Sequence, residues 1–111
     1  MKYLLIDNNK RFRAFLREYI SRDNDEIIEL DGDQDVSYIY NQFRPDFVLL
    51  DMKSGYNIAA PLKSTFPKAR IIFISDYADD KFNAKVKEFG AAALVSKENL
   101  LELEKLIYSE S

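Results

Sequence analysis

The 111-residue chain has no cysteine, no histidine and no tryptophan. Without cysteine there is no disulfide framework and no thiolate chemistry, which suits a reducing cytoplasm. The missing histidine excludes more. It removes imidazole general bases, the Ser-His-Asp triad, the commonest zinc ligand and the part of a phosphohistidine carrier. Positive charge is also short: 16 Lys and Arg against 19 Asp and Glu give a net charge of -3, with no basic stripe for direct nucleic-acid binding. Apolar runs reach only four or five residues, far below a bilayer span, and Met1 leads within two residues into a strand, leaving no room for a signal peptide. The expectation is a cytoplasmic protein with no membrane segment.

What is present is enough for one core. The chain is 47% hydrophobic with 7 Tyr and 8 Phe, and residues 1-111 read as a single domain without repeat, linker or low-complexity tract. The run Phe47-Val48-Leu49-Leu50 has the pattern of a strand buried on both faces, and it stops at Asp51. An ionised group at the end of such a strand requires water, a metal or a cationic partner there. The same design recurs at Tyr3 to Ile6 before Asp7, Ile71 to Ile74 before Ser75, and Ala92 to Val95 before Ser96 and Lys97. Polar groups therefore collect at one edge of one sheet.

Between these strands the periodicity is helical. Asn8 or Asn9 caps a helix with Phe12, Phe15, Leu16, Tyr19 and Ile20 on its apolar face, and Lys10, Arg11, Arg13, Arg17 and Glu18 read as its solvated face. Glu26 to Leu30 is a second strand. A helix from Gln34 to Phe43 stops at Arg44-Pro45, because the residue before a proline avoids the helical region. After Met52-Lys53-Ser54-Gly55 a helix runs to Phe66, with Pro61 inside it as a predicted bend. Arg70 to Ile74 is strand four. Asp79 or Asp80 caps a helix with Phe82, Val86 and Phe89 inward and Gly90 at its left-handed cap. Ala91 to Val95 is strand five, and a last helix from Glu98 to Tyr108 buries Leu100, Leu103 or Leu101, Leu106 and Ile107.

Five strands alternating with five helices predict an α/β fold, a flavodoxin-like doubly wound parallel sheet of order 2-1-3-4-5. That order makes Asp7 and Asp51 neighbours, with Ser75 and Lys97 alongside. With Arg-Pro-Asp-Phe-Val-Leu-Leu-Asp leading into Asp51 and Ser-Lys-Glu-Asn-Leu following strand five, the chain resembles the receiver domain of bacterial two-component response regulators over essentially its whole length.

The resemblance implies that Asp51 accepts a phosphoryl group from the phosphohistidine of a sensor histidine kinase, and that the domain is a signalling module and not an enzyme. It further implies Mg2+ held by Asp7, Asn8, Asp51 and the Lys53 carbonyl, with Ser75 and Lys97 contacting the phosphoryl group. Its output surface would be the last two helices and strand five, which can support a homodimer. The charge logic is consistent with these roles, since a carboxylate meeting a phosphoryl donor needs a hard cation and a fixed ammonium.

Several residues depart from the family pattern. Asn8 stands where a second acidic residue usually binds the metal, so Mg2+ binding is expected to be weak. The loop after Asp51 lacks the usual Met-Pro and later Asp-Gly, is several residues shorter and keeps only Gly55. Asp76 replaces a small residue, Leu94 the switch aromatic, and Glu98 the proline after the lysine. These departures motivate a second expectation, a pseudo-receiver that binds partners without phosphotransfer. A phosphatase of the haloacid dehalogenase type would want a second Asp where Lys53 stands, and a dinucleotide-binding domain would want a glycine-rich turn after strand one.

Overall fold

The computed structural model describes residues 1-76, 86-88 and 90-109, with the backbone alone for residues 54 and 56. Its sheet has five parallel strands in the order β2-β1-β3-β4-β5. The strands are β1 (Lys2–Ile6), β2 (Glu26–Leu30), β3 (Phe47–Asp51), β4 (Ile71–Ser75) and β5 (Ala93–Ser96). The helices are α1 (Lys10–Ile20), α2 (Val36–Phe43), α3 (Met52–Thr65) and α4 (Leu101–Tyr108). Residues 86-88 are also helical, and the rest of the helix expected from Asp79 or Asp80 onward lies outside the described residues. No helix among the described residues is long and apolar enough to cross a membrane.

Side-chain alternation divides the core into two layers. Tyr3, Leu5, Phe47, Leu49, Ile72, Ile74 and Val95 face Leu16 and Ile20 of α1 and Leu103 and Ile107 of α4. Leu4, Ile6, Val48, Leu50, Ile71, Phe73 and Leu94 face α2, α3 and Val86. All five residues of β3 are buried, as expected of a central parallel strand. Each such apolar side chain contributes about 1.5–3 kcal/mol on burial. Four of them together outweigh the several kcal/mol that one desolvated carboxylate costs, so Asp51 is held at the strand's end by the strand.

Local chemistry sets the helix ends. Asn9 caps α1, its side chain accepting from the Phe12 amide at 3.0 Å. Asp35 does the same for α2, which therefore begins two residues later than Gln34 and ends at Arg44, left-handed at φ 52° before Pro45. α4 begins at Leu101, not Glu98, and leaves Leu101 exposed while Leu100, Leu103 and Ile107 are buried. Gly90 has the positive φ, 84°, that its expected capping place requires.

The largest difference from expectation is at α3. It starts at Met52, directly against β3, and it continues through Pro61 to Thr65. Gly55 permits this. A Cβ there would lie 2.2 Å from Leu50 Cδ1, so the glycine serves close helix-on-strand approach and not a loop.

Candidate functional site

Register explains which side chains meet. Ile6 pairs with Leu50, so Asp7 and Asp51, each one residue further, end their strands at the same level. Ile74 pairs with Asp51, and Ser75 with Ser96, which puts Lys97 one step beyond the rim. By alternation Asp7 continues the row Tyr3 and Leu5, Asp51 the row Phe47 and Leu49, and Lys97 follows Val95. All three therefore lie on the side covered by α1 and α4.

Lys97 Nζ stands 3.3 Å from Asp7 Oδ2 and 3.3 Å from Asp51 Oδ1. Both carboxylates are buried, at 4% and 6% exposure. Asp7 is fixed on several sides. Its amide donates to the Leu30 carbonyl at 3.0 Å, its Oδ1 accepts from the Asn9 amide at 2.8 Å, and its carbonyl accepts from the Arg13 guanidinium. Asp7 Oδ2 is buried and accepts no well-directed hydrogen bond among the described residues; the Lys97 ammonium is what balances it there. The Lys97 amide donates to the Ser75 carbonyl at 2.8 Å, which ties the two residues through the main chain.

Burial pushes the Asp7 carboxyl above the ordinary carboxylate range, and the nearby Asp51 charge adds to this, while the Asn9 amide and Lys97 oppose it. For Lys97, burial is the largest single influence and pulls the ammonium down. The attraction of Asp7 and then Asp51, with their hydrogen bonds, exceeds it, and the net shift is upward. The site thus holds two carboxylates and one firmly protonated amine.

Of the residues singled out by sequence, Asp7, Asp51 and Lys97 are brought into contact, and Ser75 is half-buried beside them. Asn8 is exposed and follows Asp7 directly in the chain. Lys53 is exposed and is the second residue of α3, where a helical carbonyl is directed along the axis toward the following turn. Asp76 reaches Lys97 from the outside, with Oδ1 at 3.9 Å and its side chain 67% exposed.

Sequence reading missed two contributors. Phe12, placed only in a hydrophobic stripe, has its ring centroid 4.3 Å from Lys97 Nζ. Arg13, placed on a solvated face, has a side chain only 14% exposed, with Nε 3.4 Å from Glu29 Oε1 and its guanidinium on the Asp7 carbonyl. Arg17, 3.0 Å from Glu29 Oε2, completes that bridge from α1 to β2. An arginine four residues after the Asn9 cap was the available signal, since it sits over the strand end from which the helix departs.

The site's donors for a hard cation are the carboxylates of Asp7 and Asp51. No cluster of three His, Cys, Asp or Glu side chains suited to a metal occurs among the described residues. Two carboxylates are donors that a hard divalent cation takes, and Asp7 Oδ2, buried and without a well-directed hydrogen bond, is an oxygen that fits one.

The sequence profile of the response regulator receiver domain matches residues 3–108. No curated protein matches the sequence. Among solved structures, the signal receiver domain of a DNA binding response regulator from Colwellia psychrerythraea 34H is 24% identical, with a TM-score of 0.86 over 99% of this chain and 97% of that one. A response regulator from Burkholderia pseudomallei, solved with a phosphorylated aspartic acid, calcium ion and citrate, is 20% identical, with a TM-score of 0.74 over 99% of this chain and 74% of that one. A chain of the CheX-CheY-BeF3-Mg2+ complex from Borrelia burgdorferi is 18% identical, with a TM-score of 0.81 over 97% of this chain and 89% of that one. These structures share the fold, and by the profile match this chain belongs to the response regulator receiver domain family.

Proposed function

We propose that residues 1-111 act as one receiver unit, a cytoplasmic signalling module and not an enzyme, that accepts a phosphoryl group on Asp51 from a sensor histidine kinase. A carboxylate oxygen of Asp51 attacks phosphorus, the donor's P–N bond breaks, and the imidazole leaves. Anion meets anion in this step, so the barrier depends on positive charge already in place. The observation that carries the reading is Lys97, whose ammonium lies 3.3 Å from both buried carboxylates at the sheet's carboxyl edge. As the acyl phosphate forms, Lys97 exchanges a carboxylate contact for a phosphoryl oxygen. Ser75, neutral, donates to another.

Mg2+, when bound, would supply the remaining charge compensation for the phosphoryl oxygens. Asp7 and Asp51 would hold it, with Asn8 contributing an amide oxygen in place of a charge, so binding is weak. The Lys53 carbonyl joins this set only if the first turn of α3 opens, because α3 begins at Met52. The output would be changed self-association, as a homodimer, or changed partner binding, through the surface of the last two helices and β5.

The start of α3 also favours a second reading, a pseudo-receiver that recognises partners without phosphotransfer. Beryllofluoride with Mg2+, followed by amide chemical shifts, separates the two. Phosphoacceptor function predicts that the wild type shifts around Asp7, Asp51 and Lys97 while Asp51→Asn does not. An unresponsive wild type would support the pseudo-receiver.

A further inference from the structure

We propose that Phe12 is a positioning residue for Lys97, its ring forming the wall that keeps the ammonium on the Asp7–Asp51 pair. The proposal rests on the phosphoacceptor reading and adds to it a residue from α1. Lys97 is anchored at its base, since its amide is bonded to the Ser75 carbonyl and the next amide, of Glu98, to Ser96 Oγ at 3.1 Å. The backbone leaves the torsions of its four-carbon side chain unfixed. Nζ stands 3.3 Å from Asp7 and Asp51 on its buried side and 3.9 Å from the exposed Asp76 on its outer side.

The Phe12 ring, 4.3 Å from Nζ, is what keeps the ammonium on the buried side. A ring face attracts an ammonium and at the same time excludes the water that would draw it out. The Lys97 side chain is accordingly only 16% exposed. The ring is itself held. Its residue is in the first turn of α1, its amide is fastened to the Asn9 cap, and it packs on Phe15 at 6.2 Å, which packs on Tyr19 at 6.1 Å. An aliphatic residue would satisfy the core equally well but offers no π face. The contact is therefore a property of phenylalanine at this place and not of any apolar residue.

The test compares the wild type, Phe12→Leu and Phe12→Tyr, each checked for folding by circular dichroism. The first readout is the Lys97 ε-methylene resonance. The wild type is expected to show it displaced upfield by the ring, Phe12→Leu to lose the displacement, and Phe12→Tyr to keep it. The second is beryllofluoride affinity with Mg2+, expected to weaken about 3- to 10-fold in Phe12→Leu and to recover in Phe12→Tyr. An undisplaced Lys97 resonance in the wild type, or unchanged affinity in a folded Phe12→Leu, overturns the proposal. Should the wild type take no beryllofluoride, the phosphoacceptor reading falls, and the resonance still decides whether Phe12 seats Lys97.

Discussion

Replacing Lys97 with methionine keeps most of the side chain's volume and removes its charge, leaving Asp7 and Asp51 buried without their shared cation. Removing one partner from a buried pair costs about 3–5 kcal/mol. The repulsion thereby uncovered is of matching size: both carboxylates lie against one nitrogen, so they are within roughly 7 Å of each other, worth about 2–3 kcal/mol at an effective dielectric near 20. Because the sheet edge opens to water, the low end applies, about 3 kcal/mol, or a melting temperature lower by about 12 °C for a domain of this size.

The deficit should depend on pH. Asp7 has a raised carboxyl pKa, so the stability it confers is complete below the ordinary carboxylate value and is lost as pH rises through the folded-state value. Without Lys97 that folded-state value climbs further, and the gap between variant and wild type is widest at neutral pH and narrows in acid as Asp7 protonates. Lys97, raised from 10.5, contributes fully below that value, and its share disappears as pH rises through its folded-state pKa. Thermal melts by circular dichroism across pH 4 to 8 measure this, and adding Asp51→Asn to Lys97→Met should recover much of the loss. A variant melting within about 2 °C of wild type at neutral pH, or one with the same deficit in acid, refutes the reasoning.

Two further outcomes follow from the same geometry. Gly55→Ala drives a methyl into Leu50 and should cost about 1–3 kcal/mol in urea melts, whereas a neutral result would mean that α3 does not lie so close to β3. Asn8→Asp adds a charge directly after Asp7 and should tighten Mg2+ by roughly tenfold, read from amide shifts; unchanged affinity would place Asn8 outside the metal's reach.

The strands and the constellation at their ends were legible because a parallel strand buried on both faces has few ways to end in a carboxylate. Asp7, Asp51 and Lys97 each close such a run; the inferred strand order makes Asp7 and Asp51 neighbours, and Lys97, two strands from Asp51, reaches both with its long side chain. The start of α3 was not legible. Met52-Lys53-Ser54-Gly55 has the composition of a turn, and only the packing of Gly55 on Leu50 shows that it is a helix. Leu94, noted for lacking an aromatic ring, is a core residue on the side of α2 and α3. Phe12 and Arg13 were read by helix periodicity, which separates apolar from polar faces but does not say that a ring will meet an ammonium or a guanidinium a backbone carbonyl. Those contacts depend on how α1 crosses the end of β1.

In the function proposed for this domain, Asp51 is a nucleophile made tolerable to an incoming phosphoryl group by Lys97 and by a cation held with Asp7. Intact-protein mass after incubation with acetyl phosphate and Mg2+ tests it most directly. The predicted result is one added phosphoryl group on the wild type and none on Asp51→Asn. An unmodified wild type, or a phosphoryl group that persists in Asp51→Asn, would contradict it.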